Sequence, residues 1–209
     1  MSILLTTLLC YYITVSGGGQ ALPPHRETEK AVQNVSNTGT QEQTERLVLI
    51  ALMMGLIFAG TVLVRLPIPL TRGYVHLGDA MIYLAVILLG RRDGALAAGL
   101  GSALGDILGG FAFWAPWTLI IKALMALTAG TVLAAASGRR RLATEALGMI
   151  LGGLVMCMGY LIVERCMYGS WGAALLSLPW NVGQFAVGAA VALPAARALY
   201  KTPLKRYFH

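Results

Sequence analysis

Residues 73–130 read GYVHLGDAMIYLAVILLGRRDGALAAGLGSALGDILGGFAFWAPWTLIIKALMALTAG, and the rest of the chain is organised around them. In this segment, apolar and glycine-rich runs are interrupted by a few polar side chains, Asp79, Asp106, Thr118 and Lys122. An ionisable group inside a membrane span costs roughly 2.5 to 3.5 kcal/mol on insertion scales. Such residues therefore need partners, water or a ligand.

The composition of the whole chain is that of a membrane protein. Of its 209 residues, 57% are hydrophobic and 12% are charged, whereas a soluble domain has about 25% charged residues. At about 20 residues per spanning helix, the apolar runs beyond Arg46 hold six helices joined by short connections. We therefore predict an all-α, multi-pass protein of the cell membrane, built as a bundle of six transmembrane helices.

Three regions follow from this helix count. Residues 1–45 are an N-terminal extension, weakly apolar at first and then polar, with the composition of a disordered linker. Residues 46–197 are the six-helix transmembrane domain, and residues 198–209 are a basic tail. Whether the extension is retained in the working protein stays open.

The formal net charge of +7 predicts membrane topology and not a nucleic-acid partner. The basic residues gather in the second and fourth connections and in the tail, and the opposite connections have few. The positive-inside rule therefore places both termini in the cytoplasm. The residues of the basic set are Arg91, Arg92, Arg139, Arg140, Arg141, Arg197, Lys201, Lys205 and Arg206.

The chain has no pattern typical of an enzyme or a metal site. Its three cysteines show neither CxxC nor Cys/His metal spacing, and neither a phosphate-binding loop nor HExxH is present. We expect no metal, no cofactor and no catalysis by this chain. Two alternatives are a small intramembrane enzyme that uses Asp79, Asp106 and Glu164, and a structural membrane protein, which would not need charged groups on one side.

Polar residues fall in the outer half of the predicted bundle when they are counted from the helix ends at 3.6 residues per turn. Structural accidents would scatter them over both leaflets, whereas a pocket open to the outside would collect them. Acceptors, donors and amides among aromatic walls suit a small, flat, polar molecule. Alternatively, Lys122 pairs with Asp106 or Glu164 only to neutralise a buried charge. The polar set is Asp79, Asp106, Lys122, Glu164, Asn181 and Gln184, and the aromatic set is Tyr74, Trp114, Trp117 and Trp180.

Small residues mark two of the predicted helices. Ala51, Gly55 and Ala59 recur every four residues along the first helix, and such a stripe lets another helix approach closely. It serves either packing inside this bundle or docking of a separate subunit. The glycine-rich third helix, residues 95–110, is predicted to be central and tightly packed. In the loop before the second helix, His76 is expected to be solvated.

Several of these motifs together resemble a known family. They are Gly73-Tyr-Val-His-Leu-Gly-Asp79, Gly99-Leu-Gly-Ser-Ala-Leu-Gly-Asp106, and Trp114-Ala-Pro-Trp-Thr118 with Lys122 after it. They are similar to the membrane-embedded substrate-binding subunits, or S components, of energy-coupling factor (ECF) vitamin transporters. The resemblance covers about residues 47–196 and is strongest to the hydroxymethylpyrimidine, pyridoxine and riboflavin branch.

The resemblance implies a non-catalytic transport subunit that captures a vitamin or its precursor from outside. It implies partners as well: a transmembrane coupling subunit, docked at Ala51, Gly55 and Ala59, and two cytoplasmic ATPases, dedicated or shared. The subunit would topple in the membrane to release its cargo. A pyrimidine, a pyridine, a flavin and a queuosine-type base all suit the predicted pocket. With Asp106 added from the polar set, the expected substrate-binding residues are Tyr74, Asp106, Trp117, Lys122, Glu164, Asn181 and Gln184.

Overall fold

A computed structural model describes the backbone of residues 25–67, 74–135 and 141–202, and the side chains of residues 40–65, 76–135 and 142–202. Residues 1–24, the loop residues 68–73, the basic segment 136–140 and the tail from residue 203 lie outside this description. The chain divides into two compact units, with the boundary between Glu45 and Arg46.

Five helices and one short hairpin make up the described part of the chain. The all-α membrane prediction is confirmed at this level, because four helical segments are long and apolar enough to cross a membrane: Thr40–Leu63, Ala115–Ala135, Leu142–Tyr168 and Trp171–Leu199. The elements are α1 (His25–Leu63), β1 (Arg65–Pro67), β2 (Tyr74–His76), α2 (Gly78–Leu108), α3 (Ala115–Ala135), α4 (Arg141–Tyr168) and α5 (Trp171–Leu199).

The N-terminal part of α1 differs from the sequence prediction. The stretch up to Glu45 was expected to be a disordered linker, but the backbone is helical from His25 onward. Glutamate, glutamine, lysine and arginine are good helix formers. A polar stretch of this composition can therefore continue a helix without burying an apolar face.

The second and third predicted helices form one element, α2, that is broken at Gly90. There φ is 77° and ψ is −177°, and a positive φ of this size favours glycine because it has no Cβ. The helix folds back at this residue, since Cβ atoms built at Gly78 and at Gly105 would both lie within 3 Å of Thr61 side-chain atoms. The described part of the chain therefore has five helices where the sequence predicted six, and the predicted turn shrinks to one residue.

Glycines let α2 pack closely on two sides. A Cβ built at Gly101 would lie 2.9 Å from the carbonyl oxygen of Met54 in α1. On the other side, a Cβ at Gly99 would lie 2.9 Å from the carbonyl oxygen of Leu119 in α3. Backbones approach this closely only where side chains are minimal. The prediction of a tightly packed, glycine-rich helix is confirmed.

One end of the bundle brings together the segments that border the basic connections. The Arg46 side chain binds the Asp93 carboxylate just after the break in α2, with Nη2 donating to Oδ1 at 2.6 Å. Arg91 lies against the last turns of α3. After α5, the Tyr200 hydroxyl donates to Glu145 in the second turn of α4. The start of the bundle, the α2 break and the end of α5 therefore lie at one end.

The opposite end is tied together by Arg65. Its guanidinium donates to the carbonyl oxygens of Thr61 at 2.8 Å, Gly109 at 2.9 Å and Gly105 at 2.8 Å. It also lies over the Phe111 ring, 5.4 Å from the centroid. The negative end of the helix dipole makes carbonyl oxygens in the last turns of a helix favourable partners for a cation. One side chain thus joins the ends of α1 and α2 and anchors β1 beside them.

Candidate functional site

The site is built around a buried ion pair between α2 and α3. Lys122 Nζ donates to Asp79 Oδ1 at 2.5 Å, and both side chains are 0% exposed. Asp79 is the second residue of α2, and Lys122 lies about two turns into α3. Each charge offsets the cost of desolvating the other. The partner of Lys122 is therefore Asp79, and not Asp106 or Glu164, the two partners considered in the charge-neutralising alternative.

Gln184 connects this ion pair to α5 and to the hairpin. Its Nε2 donates to Asp79 Oδ2 at 3.0 Å, and its Oε1 accepts from the backbone N–H of His76 at 2.9 Å. Both ends of the amide are thus engaged by protein groups. Three helices and β2 meet at these four residues, Asp79, Lys122, Gln184 and His76, which we call the charged centre.

His76 is buried, with only 9% of its surface exposed, so the prediction of a solvated histidine is wrong. The antiparallel hairpin sets His76 opposite Arg65, and Arg65 is fixed to the helix ends. Burial first, and then the positive charge of Lys122, lower the pKa of His76 to about 3. The imidazole is neutral at physiological pH, and its Nδ1 accepts the Gly78 N–H at 3.0 Å.

Side chains of α4 and α3 form the wall next to Lys122. Met156 Sδ lies 2.9 Å from Lys122 Nζ, and the Tyr160 ring centroid lies 5.7 Å from the same nitrogen. The face of an aromatic ring attracts a cation. The Tyr160 hydroxyl donates to Thr118 Oγ1 at 3.3 Å, and Trp114 packs edge-on against the Tyr160 ring at 6.3 Å. Lys122 is thus held on several sides.

A second polar group lies further along α4 and α5. The Ser177 hydroxyl donates to the Glu164 carboxylate, and Glu164 is 3% exposed. Asn181 is 5% exposed, and its amide forms no hydrogen bond with any residue in the described ranges. Ser177, Asn181 and Gln184 are spaced by four and three residues, so they share one face of the helix. We call these three residues the α5 polar face.

The structure brings together four of the seven predicted substrate-binding residues. Lys122 and Gln184 belong to the charged centre. Asn181 lies next to Gln184 on the α5 polar face, and Glu164 is bound to Ser177 of that face. These four residues extend from the ion pair towards the C-terminal end of α4 and the N-terminal end of α5.

The other three predicted residues are placed differently. Asp106 is buried near the end of α2, between Gly105 and Gly109, whose carbonyls bind Arg65. Trp117 is 42% exposed, on a face of α3 that is turned away from the core of the bundle. The Tyr74 side chain lies outside the described residues. Of the other predicted aromatic walls, Trp114 is buried and Trp180 is 42% exposed.

The predicted site does not include Asp79, which is predicted only as one of the polar residues, and it does not include His76, Met156 or Tyr160. One signal was available. Met156, Tyr160 and Glu164 recur every four residues, so they lie on one helix face. The Asp79–Lys122 pairing had no such signal, because it depends on the fold-back of α2.

The helices of this protein are long and apolar enough to cross a membrane, and together they hold an ion pair and two amides at one end of the bundle. This arrangement is that of a membrane protein suited to binding a small polar molecule. The family model described as "ECF-type riboflavin transporter, S component" matches residues 41–201. The chain therefore belongs to this family of S components, which are non-catalytic, substrate-binding subunits of membrane transporters. The resemblance predicted from the sequence motifs is confirmed.

Two relatives extend this finding. The chain is 32% identical over 165 residues to the thiamine precursor transporter HmpT of Lactococcus lactis subsp. cremoris (strain MG1363), an alignment that covers 78% of this chain and 93% of the relative. It is 42% identical over 113 residues to an uncharacterized protein of Pyrococcus woesei, covering 54% of this chain and 74% of the relative.

Proposed function

We propose that this chain captures a small vitamin or vitamin precursor from the outer face of the membrane and delivers it through an ECF-type importer. The observation that carries the proposal is the buried charged centre with the Asn181 amide beside it. A bundle that needed only to pack would not place an ion pair, a glutamine and an unbonded asparagine at one end. The family description mentions riboflavin and one relative a thiamine precursor, which supports a heterocyclic ligand.

We further propose six membrane helices with both termini in the cytoplasm. The two arms of α2, residues 78–89 and 91–108, run in opposite directions from Gly90 and count as two helices. The end of the bundle that holds Arg46, Arg91 and Tyr200 borders the basic connections, so the positive-inside rule makes it cytoplasmic. The charged centre, near the opposite end, then faces outward.

The partners that we propose are a transmembrane coupling subunit and two ATPases, with docking at Ala51, Gly55 and Ala59. Ala51 and Gly55 are exposed, and no atom of the described residues lies within 4 Å of a Cβ built at Gly55. The face of α1 that packs on α2 includes Ile57 and Thr61 instead. This arrangement supports docking over packing within the bundle. Once docked, the subunit would topple to deliver its ligand.

A thermal-shift panel of B vitamins and their precursors on the purified chain tests the capture function. A ligand that binds only the folded state adds about 2.7 kcal/mol of stability at 100 times its Kd. We expect one compound to stabilise the protein at low concentration, and the Asn181→Leu variant, if folded, to lose that shift. A folded wild-type protein that responds to no compound in the panel would contradict the proposal.

A further inference from the structure

We propose that Glu164 is a specificity-determining residue that accepts hydrogen bonds from an amino group on a nitrogen heterocycle. The inference rests on the proposed function and narrows its ligand class. With Glu164 in this role, an aminopyrimidine would bind more tightly than a flavin or any vitamin that carries a carboxylate.

The charges of the site lead to this assignment. Asp79 and Lys122 neutralise each other, whereas no cation in the described ranges forms an ion pair with Glu164. The neighbouring Arg165 guanidinium lies over the Trp171 ring, 5.4 Å from its centroid. A carboxylate that is 3% exposed is costly to bury unless donors compensate it. A ligand that brings donors would supply this compensation.

The hydrogen bonds at Glu164 leave most of its capacity unused. An ionised carboxylate has about four acceptor positions, and in the described part of the chain the Ser177 hydroxyl is the donor that reaches it. The single proton of that hydroxyl also lies within reach of the Ala174 carbonyl oxygen, at 3.0 Å. Glu164 can therefore accept further N–H groups.

Asn181 supplies independent support for a ligand at this position. It lies one turn from Ser177 on the α5 polar face, is 5% exposed, and has no hydrogen bond to the residues that the structure describes. An asparagine amide offers two N–H donors and an acceptor oxygen, none of which the described residues engage here. Its carbonyl and NH₂ groups can bind the remaining ring heteroatoms of a ligand held by Glu164.

The chemistry of the carboxylate selects the ligand class. The amino group of an aminopyrimidine donates one N–H to the carboxylate, and a ring that has taken a proton from solvent at the adjacent nitrogen adds a second, parallel N–H, the same fork by which arginine binds a carboxylate. A ring that presents oxo groups at this position would set acceptors against an acceptor. A ligand carboxylate would add like-charge repulsion in a site with little water.

Two nearly isosteric probes test the assignment: 4-amino-5-hydroxymethyl-2-methylpyrimidine, and its counterpart with methyl in place of the 4-amino group. Their Kd values are measured by titration calorimetry on the purified full chain. For the wild type we expect the amino compound to bind about 10- to 100-fold more tightly, the range for hydrogen bonds to a charged group. Glu164→Met should reduce this ratio to within about threefold, and Glu164→Gln should give an intermediate ratio.

The matched control is Glu145→Gln, which makes the same change at the other buried glutamate of α4, at the opposite end of the bundle and bound to Tyr200. It should leave the ratio as in the wild type. A folded Glu164→Met or Glu164→Gln variant that keeps the full preference overturns the assignment, and so does a wild type that binds both probes equally or binds only a flavin. If the wild type binds no heterocycle at all, the proposed function fails with it.

Discussion

Asp79 on α2 and Lys122 on α3 form an ion pair of 2.5 Å in which neither side chain is exposed. The pair joins the first arm of α2, before Gly90, to α3, and the second arm of α2 lies between them in the chain. Because Gln184 also binds Asp79, the carboxylate links α2, α3 and α5 at one point. The stability of the bundle and the shape of the site therefore depend on the same three side chains.

Removing one partner of this ion pair should destabilise the protein strongly. Lys122→Met leaves the Asp79 carboxylate buried without its cation, and the expected loss is about 3 to 5 kcal/mol. The double variant Lys122→Met with Asp79→Asn removes both charges and should recover part of that loss. Thermal unfolding in detergent measures both the loss of stability in the single variant and its recovery in the double variant. A single variant as stable as the wild type would show that the pair is not formed.

Gly188 is expected to control ligand affinity through Asp79. A Cβ built at Gly188 would lie 2.9 Å from the Asp79 Cβ, so Gly188→Leu should push α5 away from the charged centre. We expect ligand affinity to fall at least about tenfold, which corresponds to about 1.4 kcal/mol. Gly183→Leu on the same helix is the control, since no atom of the described residues lies within 4 Å of its Cβ. Equal affinities in the two variants would refute this role.

Arg65 should contribute to stability through its fork of donors. Arg65→Lys keeps the charge but cannot reach the three carbonyl oxygens that the guanidinium binds. The expected loss is about 1 to 3 kcal/mol in the free energy of unfolding. Arg165→Lys is the control, because its described contact is the Trp171 ring. Similar small losses in both variants would show that the three hydrogen bonds of Arg65 contribute little to stability.

Docking should fail when Gly55, in the small-residue stripe of α1, is replaced by a large residue. Gly55→Leu adds a bulky side chain on an exposed face, so we expect loss of complex formation and uptake with unchanged ligand binding. Co-purification with the coupling subunit and a binding titration separate these two effects. The same enlargement at Gly183, on an exposed face of α5, should leave the complex intact. Normal uptake by Gly55→Leu would place the docking surface elsewhere.

The stability of the protein should fall in mild acid because of His76. Its folded-state pKa is lowered to about 3, below the unfolded value of about 6.5. Between these values the unfolded chain binds a proton that the folded protein does not, so unfolding becomes easier as pH falls below about 6.5, by up to about 1.4 kcal/mol per pH unit. Thermal unfolding from pH 7.5 to 4.5 should reveal this slope, and His76→Asn should flatten it. Identical slopes in the two proteins would contradict the burial of His76.

Residue spacing was sufficient to predict which polar side chains lie together where a helix pattern decides it. Lys122, Glu164, Asn181 and Gln184 are singled out because a polar residue in an apolar helix is costly and its position along the helix can be counted; their role in ligand binding stays a prediction. The glycine contacts of α2 were predicted for the same reason, since small-residue stripes imply close packing.

Predictions that needed the rotation or reversal of an element failed. The partner of Lys122 depends on the fold-back of α2 at Gly90, which one positive φ produces. The burial of His76 depends on the register of a three-residue hairpin, and the exposure of Trp117 depends on which side of α3 meets lipid. None of these is determined by residue spacing along the chain.

Native mass spectrometry of the purified chain tests the central claim, capture of a heterocyclic vitamin or precursor, most directly. We predict a co-purifying small molecule of defined mass, or a bound molecule when one equivalent of an aminopyrimidine precursor is added, and the loss of this bound molecule in the Asn181→Leu variant. A folded wild-type protein that carries no heterocycle and takes up none from a full vitamin panel would contradict the account.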